Sequence, residues 1–257
     1  MRGRSVLVPV ALGAIVALAA ACGGDDDASD AAGGGDLTVL AASSLTESFD
    51  ALEKSFEAEH DVDVKISYDS SSVLAEQVIQ GAPADVLATA DERTMQQVVD
   101  EGMTDKDPQT FAENILTIVT PPDNPADITS MRDFESDDVD FAVCVPEAPC
   151  GNATAELMKL NGVDAQPATE EQNVKSVLTK VTLGEVDAGV VYVTDAHAAG
   201  DDVKAIAAKN ASEVVNPYPI AVLDEASDSE LAQEWVDLVL SKKGQQVLGS
   251  NGFQPAP

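Results

Sequence analysis

The chain has 257 residues, with 46 acidic against 14 basic side chains and a formal net charge of −32. That balance argues against a nucleic-acid partner and for an exposed, highly soluble protein. Two histidines and three cysteines at no ligand spacing argue against a His/Cys metal centre.

In chain order, residues 1–21 read as a secretory leader: Arg2 and Arg4, an uncharged apolar run, then small residues. The apolar run is too short for a comfortable membrane span. It ends in LAAAC, a small-residue tripeptide before Cys22, which resembles the lipobox of bacterial lipoproteins even though Ala19 stands where leucine is usual. That resemblance implies lipidation of Cys22 and a membrane anchor; the alternative is ordinary cleavage nearby, with Cys22 removed or idle. The rest of 22–36, GGDDDASDAAGGGD, has no apolar periodicity and reads as a solvated tether spanning on the order of 20 Å. Export means an oxidising setting. Cys144 and Cys150 are then left as a candidate disulfide, with two reduced buried thiols as the alternative.

From Leu37 onward the pattern is α/β, long enough for one large or two modest domains. Leu37 to Ala41 forms a buried strand, and Leu45, Phe49, Leu52 and Phe56 recur at helical spacing. Ser44 with Glu47 fits a capping box. VDVKISYD is a second strand and SVLAEQVIQG a second helix stopped by Gly81. ADVLATA and DERTMQQVVDEG continue the alternation, so the expectation is a parallel sheet covered by helices. A second unit starts near NILTIVTPPDNP. VDFAVCVP and DAGVVYV read as strands, NATAELMKLNG and VKSVLTKVTLGE as helices, and EVVNPYPIAVLDE as a strand or crossover. Two C-terminal helices follow, the first with a Ser227/Glu230 capping box.

Ser43-Ser44 and Ser70-Ser71-Ser72 both fall where a strand turns into a helix. In α/β sheets ligands collect there, against unpaired helix N–H groups and a partial positive charge. Any one of these serines is best read as a cap or loop filler. Two clusters at equivalent turns point instead to a small anion held by hydroxyl donors.

The stretches LAASSLTESF, YDSSSVLAEQVIQGAPADVLATAD, NVKSVLTKVTLGEVDAGVVYVTDA and KKGQQVLGSNGF are similar to the molybdate-binding proteins of bacterial ABC importers, from about Leu37 to Phe253. The ordered set S-S-S, G-A-P-A-D and G-V-V-Y is specific, whereas each piece alone is weak. The resemblance implies a two-lobed α/β fold of the type II periplasmic-binding-protein kind, with the ligand cleft between lobes 37–114 plus 216–257 and 115–215. It implies five ligand contacts: the hydroxyls of Ser44, Ser71 and Tyr192, and the backbone N–H groups of Cys150 and Val174. Cys150 stands where a small alanine is usual, but only a main-chain donor is needed.

Part of this set also follows from the residues themselves. Asn173 is a plausible N-cap, placing Val174 in a first helical turn, and Pro149-Cys150-Gly151 opens another helix. Tyr192 ends a buried strand, where a cleft donor and a satisfied core tyrosine are equally good readings. The resemblance further implies an extracytoplasmic, monomeric lipoprotein on the outer face of the cell membrane. It would capture molybdate and tungstate, or another oxyanion such as sulfate, and deliver it to a permease driven by a separate ATPase. No cofactor is implied, and molybdenum would enter only as the oxyanion, with no protein ligand on the metal.

Five uncharged donors suit a proton-free dianion, because a protonated one such as phosphate would bury an unmatched donor at about 1–3 kcal/mol. The acidic exterior is compatible with this, since charges beyond about 8 Å are screened at physiological salt while aimed dipoles in a closed cleft are not. An enzyme is disfavoured: the serines sit in no G-x-S-x-G elbow and two isolated histidines make a triad improbable. A ferric-ion binder would want clustered tyrosines, and Tyr68, Tyr192 and Tyr218 are far apart in the chain.

Overall fold

The computed structural model describes residues 35–257. The leader, Cys22 and the tether up to residue 34 lie outside the described residues. Among the described residues no helix is long and apolar enough to cross a membrane.

The chain opens with β1 (Asp36–Ala42), so Asp36, assigned above to the tether, already pairs with Asp63. A 3-10 turn over Ser43–Leu45 leads into α1 (Thr46–His60). Phe49, Leu52 and Phe56 of α1 are buried at helical spacing, each contributing roughly 1.5–3 kcal/mol of burial. Next come β2 (Asp63–Asp69), α2 (Ser71–Ile79), β3 (Val86–Ala88) and α3 (Glu92–Asp100). Gly81, at φ +82, takes the left-handed turn beyond α2 that a side chain would resist. Then follow β4 (Gln109–Thr120), β5 (Phe141–Cys144), α4 (Pro149–Asn161), β6 (Thr169–Glu171), α5 (Val174–Thr182) and β7 (Ala188–Tyr192). The chain closes with α6 (Val193–Ala199), β8 (Lys204–Ile206), β9 (Val215–Val222), α7 (Ser229–Leu240), α8 (Lys242–Ser250) and β10 (Gln254–Pro255).

The strands run in the order β2-β1-β3-β9-β4-β7-β5-β6. β1 is parallel to β2 and β3, and β5 is parallel to β6 and β7, as the alternating pattern predicts. The sheet as a whole is mixed, which corrects the all-parallel expectation. β4 and β9 run antiparallel to each other, and β9 is antiparallel to β3 and β4 to β7. The reason is topological: one strand carries the chain out of the first βα unit and the other brings it back. β4 is shared, with Gln109 to Ile115 on β9 and Leu116 to Val119 on β7. β9 is central despite Pro217 and Pro219, each of which removes a ladder donor, and β4 shifts register between Thr110 and Ala112 opposite them.

One apolar cluster runs from α1 and α7 through β4 and β9 into the second half; a smaller one lies under α2 and α3. At its centre Trp235 meets Phe49 and Phe56 edge-on, with ring centroids 5.6 and 5.4 Å apart. The aromatic line continues through Phe111 to Tyr218 and then to Tyr192, 6.0 Å from Tyr218.

Neither predicted capping box forms. α1 starts after the 3-10 turn, and Ser44, inside that turn, bonds Tyr218 instead. α7 is capped by Asp228, whose carboxylate accepts the Glu230 and Leu231 N–H groups, while Ser227 donates to Asp85. In both places a longer-range partner outcompetes the local cap.

Candidate functional site

Four helix starts and one strand end converge on a cavity of about 10 Å³ between the β1–β3 half and the β5–β7 half. Its walls include Ser44 and Ser71 from the first half and Cys150, Val174 and Tyr192 from the second. All five residues singled out in the sequence therefore meet at one place, and all five are buried. It is the smallest of the five cavities described, the others ranging from about 300 to 610 Å³. That size suits a small ion rather than a sugar or peptide.

The serines do not cap by their side chains. α2 begins after Ser70 without any side-chain cap, and Ser70 Oγ and Ser72 Oγ bond each other at 3.0 Å. Ser71 Oγ accepts the Ala90 N–H at 2.9 Å, which leaves its own hydrogen to donate. α4 likewise lacks a side-chain cap; it has Pro149 in its first turn and Cys150 next to it. α5 is capped as expected, Asn173 Oδ1 accepting the Ser176 N–H at 3.0 Å, so Val174 sits in a first turn whose donors have no intrahelical partner.

The path of α4 is held closely. A side chain at Gly151 would place its Cβ 1.9 Å from the Val145 carbonyl oxygen, so only glycine permits this approach. Cys144 and Cys150 face each other across this loop, with Cα atoms 5.8 Å apart.

Tyr192 is 1% exposed, and its hydroxyl has no hydrogen-bond partner among the described residues. Burial first, then the neighbouring Tyr218, Asp91 and Asp195, pushes its phenol well above the ordinary range. It therefore remains a protonated donor at any physiological pH.

The family model for bacterial extracellular solute-binding proteins matches residues 37–254. The chain belongs to this family. Over 218 residues it is 38% identical to the molybdate-binding protein ModA of Mycobacterium tuberculosis, covering 84% of each chain. It superposes on the periplasmic molybdate-binding protein of Azotobacter vinelandii with a TM-score of 0.75 at 16% identity, over 86% of this chain and 100% of that one. The sulfate-binding protein SubI of M. tuberculosis gives a TM-score of 0.76 at 18% identity, over 86% and 87%. At such identities the two structures establish the periplasmic-binding-protein fold and no more. The family is one of solute-binding proteins and not of enzymes, and it works outside the cytoplasm.

Three features of this solute-binding protein were not legible in its sequence. Asp69 shares the cavity wall, the single carboxylate to do so; its Oδ1 accepts the Ser70 N–H at 2.7 Å and Asn173 Nδ2 at 3.0 Å. The second contact crosses between the halves. Lys175 makes another crossing, reaching Glu47 at 2.7 Å and Asp195 at 3.2 Å. Burial pulls the Lys175 ammonium down, but Asp195 and Glu47 together outweigh it and hold it above its usual range. Asp195 is wholly buried, and loss of water pushes its carboxyl up to about 6 despite Lys175. Finally, Tyr218 lies beside Tyr192 and Ser44, so two of the three tyrosines do cluster in space. Among the described residues no three His, Cys, Asp or Glu side chains converge to hold a metal ion.

Proposed function

We propose that this protein captures molybdate, and tungstate with it, and delivers the oxyanion to a membrane permease driven by a separate ATPase. The observation that carries the reading is the fully buried Tyr192 hydroxyl, without a partner among the described residues, in a small cavity whose wall holds uncharged donors from both halves beside the single carboxylate of Asp69. The hydroxyls of Ser44, Ser71 and Tyr192 and the main-chain N–H groups of Cys150 and Val174 surround the ion. The two halves, 37–114 plus 216–257 and 115–215, act as lobes that close on it. Asp69 commits one oxygen to donors at the seam, which limits its role as an acceptor toward a ligand. The molybdate-binding relative at 38% identity supports this choice among oxyanions. No cofactor takes part.

In the exported protein Cys144 and Cys150 form a disulfide that stiffens the loop bearing the Cys150 N–H, worth roughly 2 kcal/mol by loop closure. Cys22 carries the lipid, and the monomer hangs from the outer face of the membrane on its tether.

Isothermal titration of the purified protein with molybdate, tungstate, sulfate and phosphate tests the reading. Molybdate and tungstate are expected to bind, with phosphate weaker by roughly 5–150-fold for each unmatched proton. Tyr192→Phe is expected to weaken molybdate about 10-fold with an unchanged melting temperature. Tighter binding of sulfate would move the assignment to that ion, and a preference for phosphate would mean that Asp69 accepts from the ligand.

A further inference from the structure

We propose that Tyr218 is a positioning residue that sets the ion preference of the site, donating its phenolic hydrogen to Ser44 Oγ and so biasing the Ser44 hydroxyl to donate toward the cavity. The inference rests on the oxyanion reading above and adds what enforces it. A serine hydroxyl is by nature ambivalent, able to donate or accept. A pocket built from such groups rejects a protonated ion better the more of each hydroxyl's acceptor capacity is already used.

The hydrogen bonds around Ser44 support one direction for the Ser44–Tyr218 bond. Asn114 Oδ1 accepts the Ile115 N–H at 3.0 Å, which identifies the other amide atom as the nitrogen. That nitrogen donates to Thr194 Oγ1 at 2.9 Å and, more weakly, to the Tyr218 oxygen at 3.4 Å. With its oxygen approached by a donor, Tyr218 has one hydrogen left, and Ser44 Oγ lies 2.8 Å away. Ser44 accepts it and keeps its own hydrogen for the cavity it lines. Tyr218 is completely buried, so water does not compete for the phenol.

The same strand serves the other serine. Asn216 lies two residues before Tyr218 on β9 and so shares its face. Asn216 Nδ2 donates to the Ala90 carbonyl at 2.9 Å, holding from its other side the residue whose N–H meets Ser71 Oγ at 2.9 Å. One face of one strand thus occupies an acceptor site of both hydroxyls, directly at Ser44 and through Ala90 at Ser71.

The test measures molybdate and phosphate affinities of the purified protein and of Tyr218→Phe, with phosphate read by displacement of molybdate. Phenylalanine keeps the ring that packs edge-on against Phe111 and Phe253. With Ser44 free to accept, the molybdate-to-phosphate affinity ratio is expected to fall about 10-fold. A ratio within about 2-fold of the parent, even with both ions weakened, assigns Tyr218 a merely structural part and overturns the proposal. Should Tyr218→Phe fail to fold, Asn114→Ala frees the phenol oxygen and is expected to lower the ratio in the same direction; an unchanged ratio there sinks the relay. If the parent protein binds no molybdate at all, the functional reading fails and takes the relay with it. Parent binding with an unmoved ratio removes the relay alone.

Discussion

The two halves of the cavity present hydrogens in different ways, and the difference decides which residues matter. In the proposed site the first half offers side-chain hydroxyls, Ser44 and Ser71, which can rotate and which bond Tyr218 and the Ala90 N–H. In the proposed site the second half offers main-chain N–H groups at the starts of α4 and α5, with the Tyr192 hydroxyl added. A hydroxyl site is therefore sensitive to its side chain and its neighbours. A main-chain site is indifferent to its side chain but sensitive to the backbone path. This is why Cys150 can occupy a position where alanine was expected, while Gly151 beside it admits nothing larger.

The contrast can be broken most severely at Gly151. Gly151→Ala forces the start of α4 away from the Val145 carbonyl; stability is expected to drop by about 3 kcal/mol and molybdate affinity by roughly 100-fold. Parent-like affinity, read by titration, would show that the path of α4 does not present the Cys150 N–H.

A sharper comparison sets Ser71→Ala against Val174→Ala. The first removes a group that serves both the Ala90 N–H and the ion, and affinity is expected to fall about 10-fold or more. The second leaves its main-chain donor in place and is expected to change affinity less than about 3-fold, its cost appearing in melting temperature instead. Equal losses in the two variants would abolish the distinction between hydroxyl and main-chain donors.

The smallest effect concerns charge behind the second half. Asp195 lies outside the cavity wall, and its folded pKa of about 6 exceeds the ordinary 3.8. The fold favours its protonated form, so its contribution to stability is present below about pH 4 and is lost as pH rises through 6. Asp195→Asn is expected to gain about 1 kcal/mol on the parent between about pH 5 and pH 7, in chemical denaturation, whatever its constant offset. A pH-independent difference would mean that Lys175 and Glu47 keep Asp195 ionised throughout.

Much of the site was legible because it lies at strand-to-helix turns, where short-range pattern speaks. YDSSS and NVKS announce a strand end, a helix start and polar donors within a few residues. Spacing alone left open which serine of each cluster serves the site, and Ser43 and Ser70 line the cavity beside Ser44 and Ser71. The capping boxes were misread for the same local reason: Ser44 with Glu47 has the right spacing, but Tyr218, 174 positions away, takes the hydroxyl. The parallel sheet was misread because strand direction depends on where the chain returns, and nothing in VNPYPIAV says that it runs back beside β4.

The amino-acid order by itself determined the βα alternation, the helix starts and the uncharged character of the donors, since hydrophobic period, caps and side-chain chemistry act over a few residues. Only the tertiary structure decided that Asp69 meets Asn173, that Lys175 joins Glu47 to Asp195, and that Tyr218 stands behind Ser44. These contacts close loops of many residues, and their energies come from burial and pairing that no local window contains.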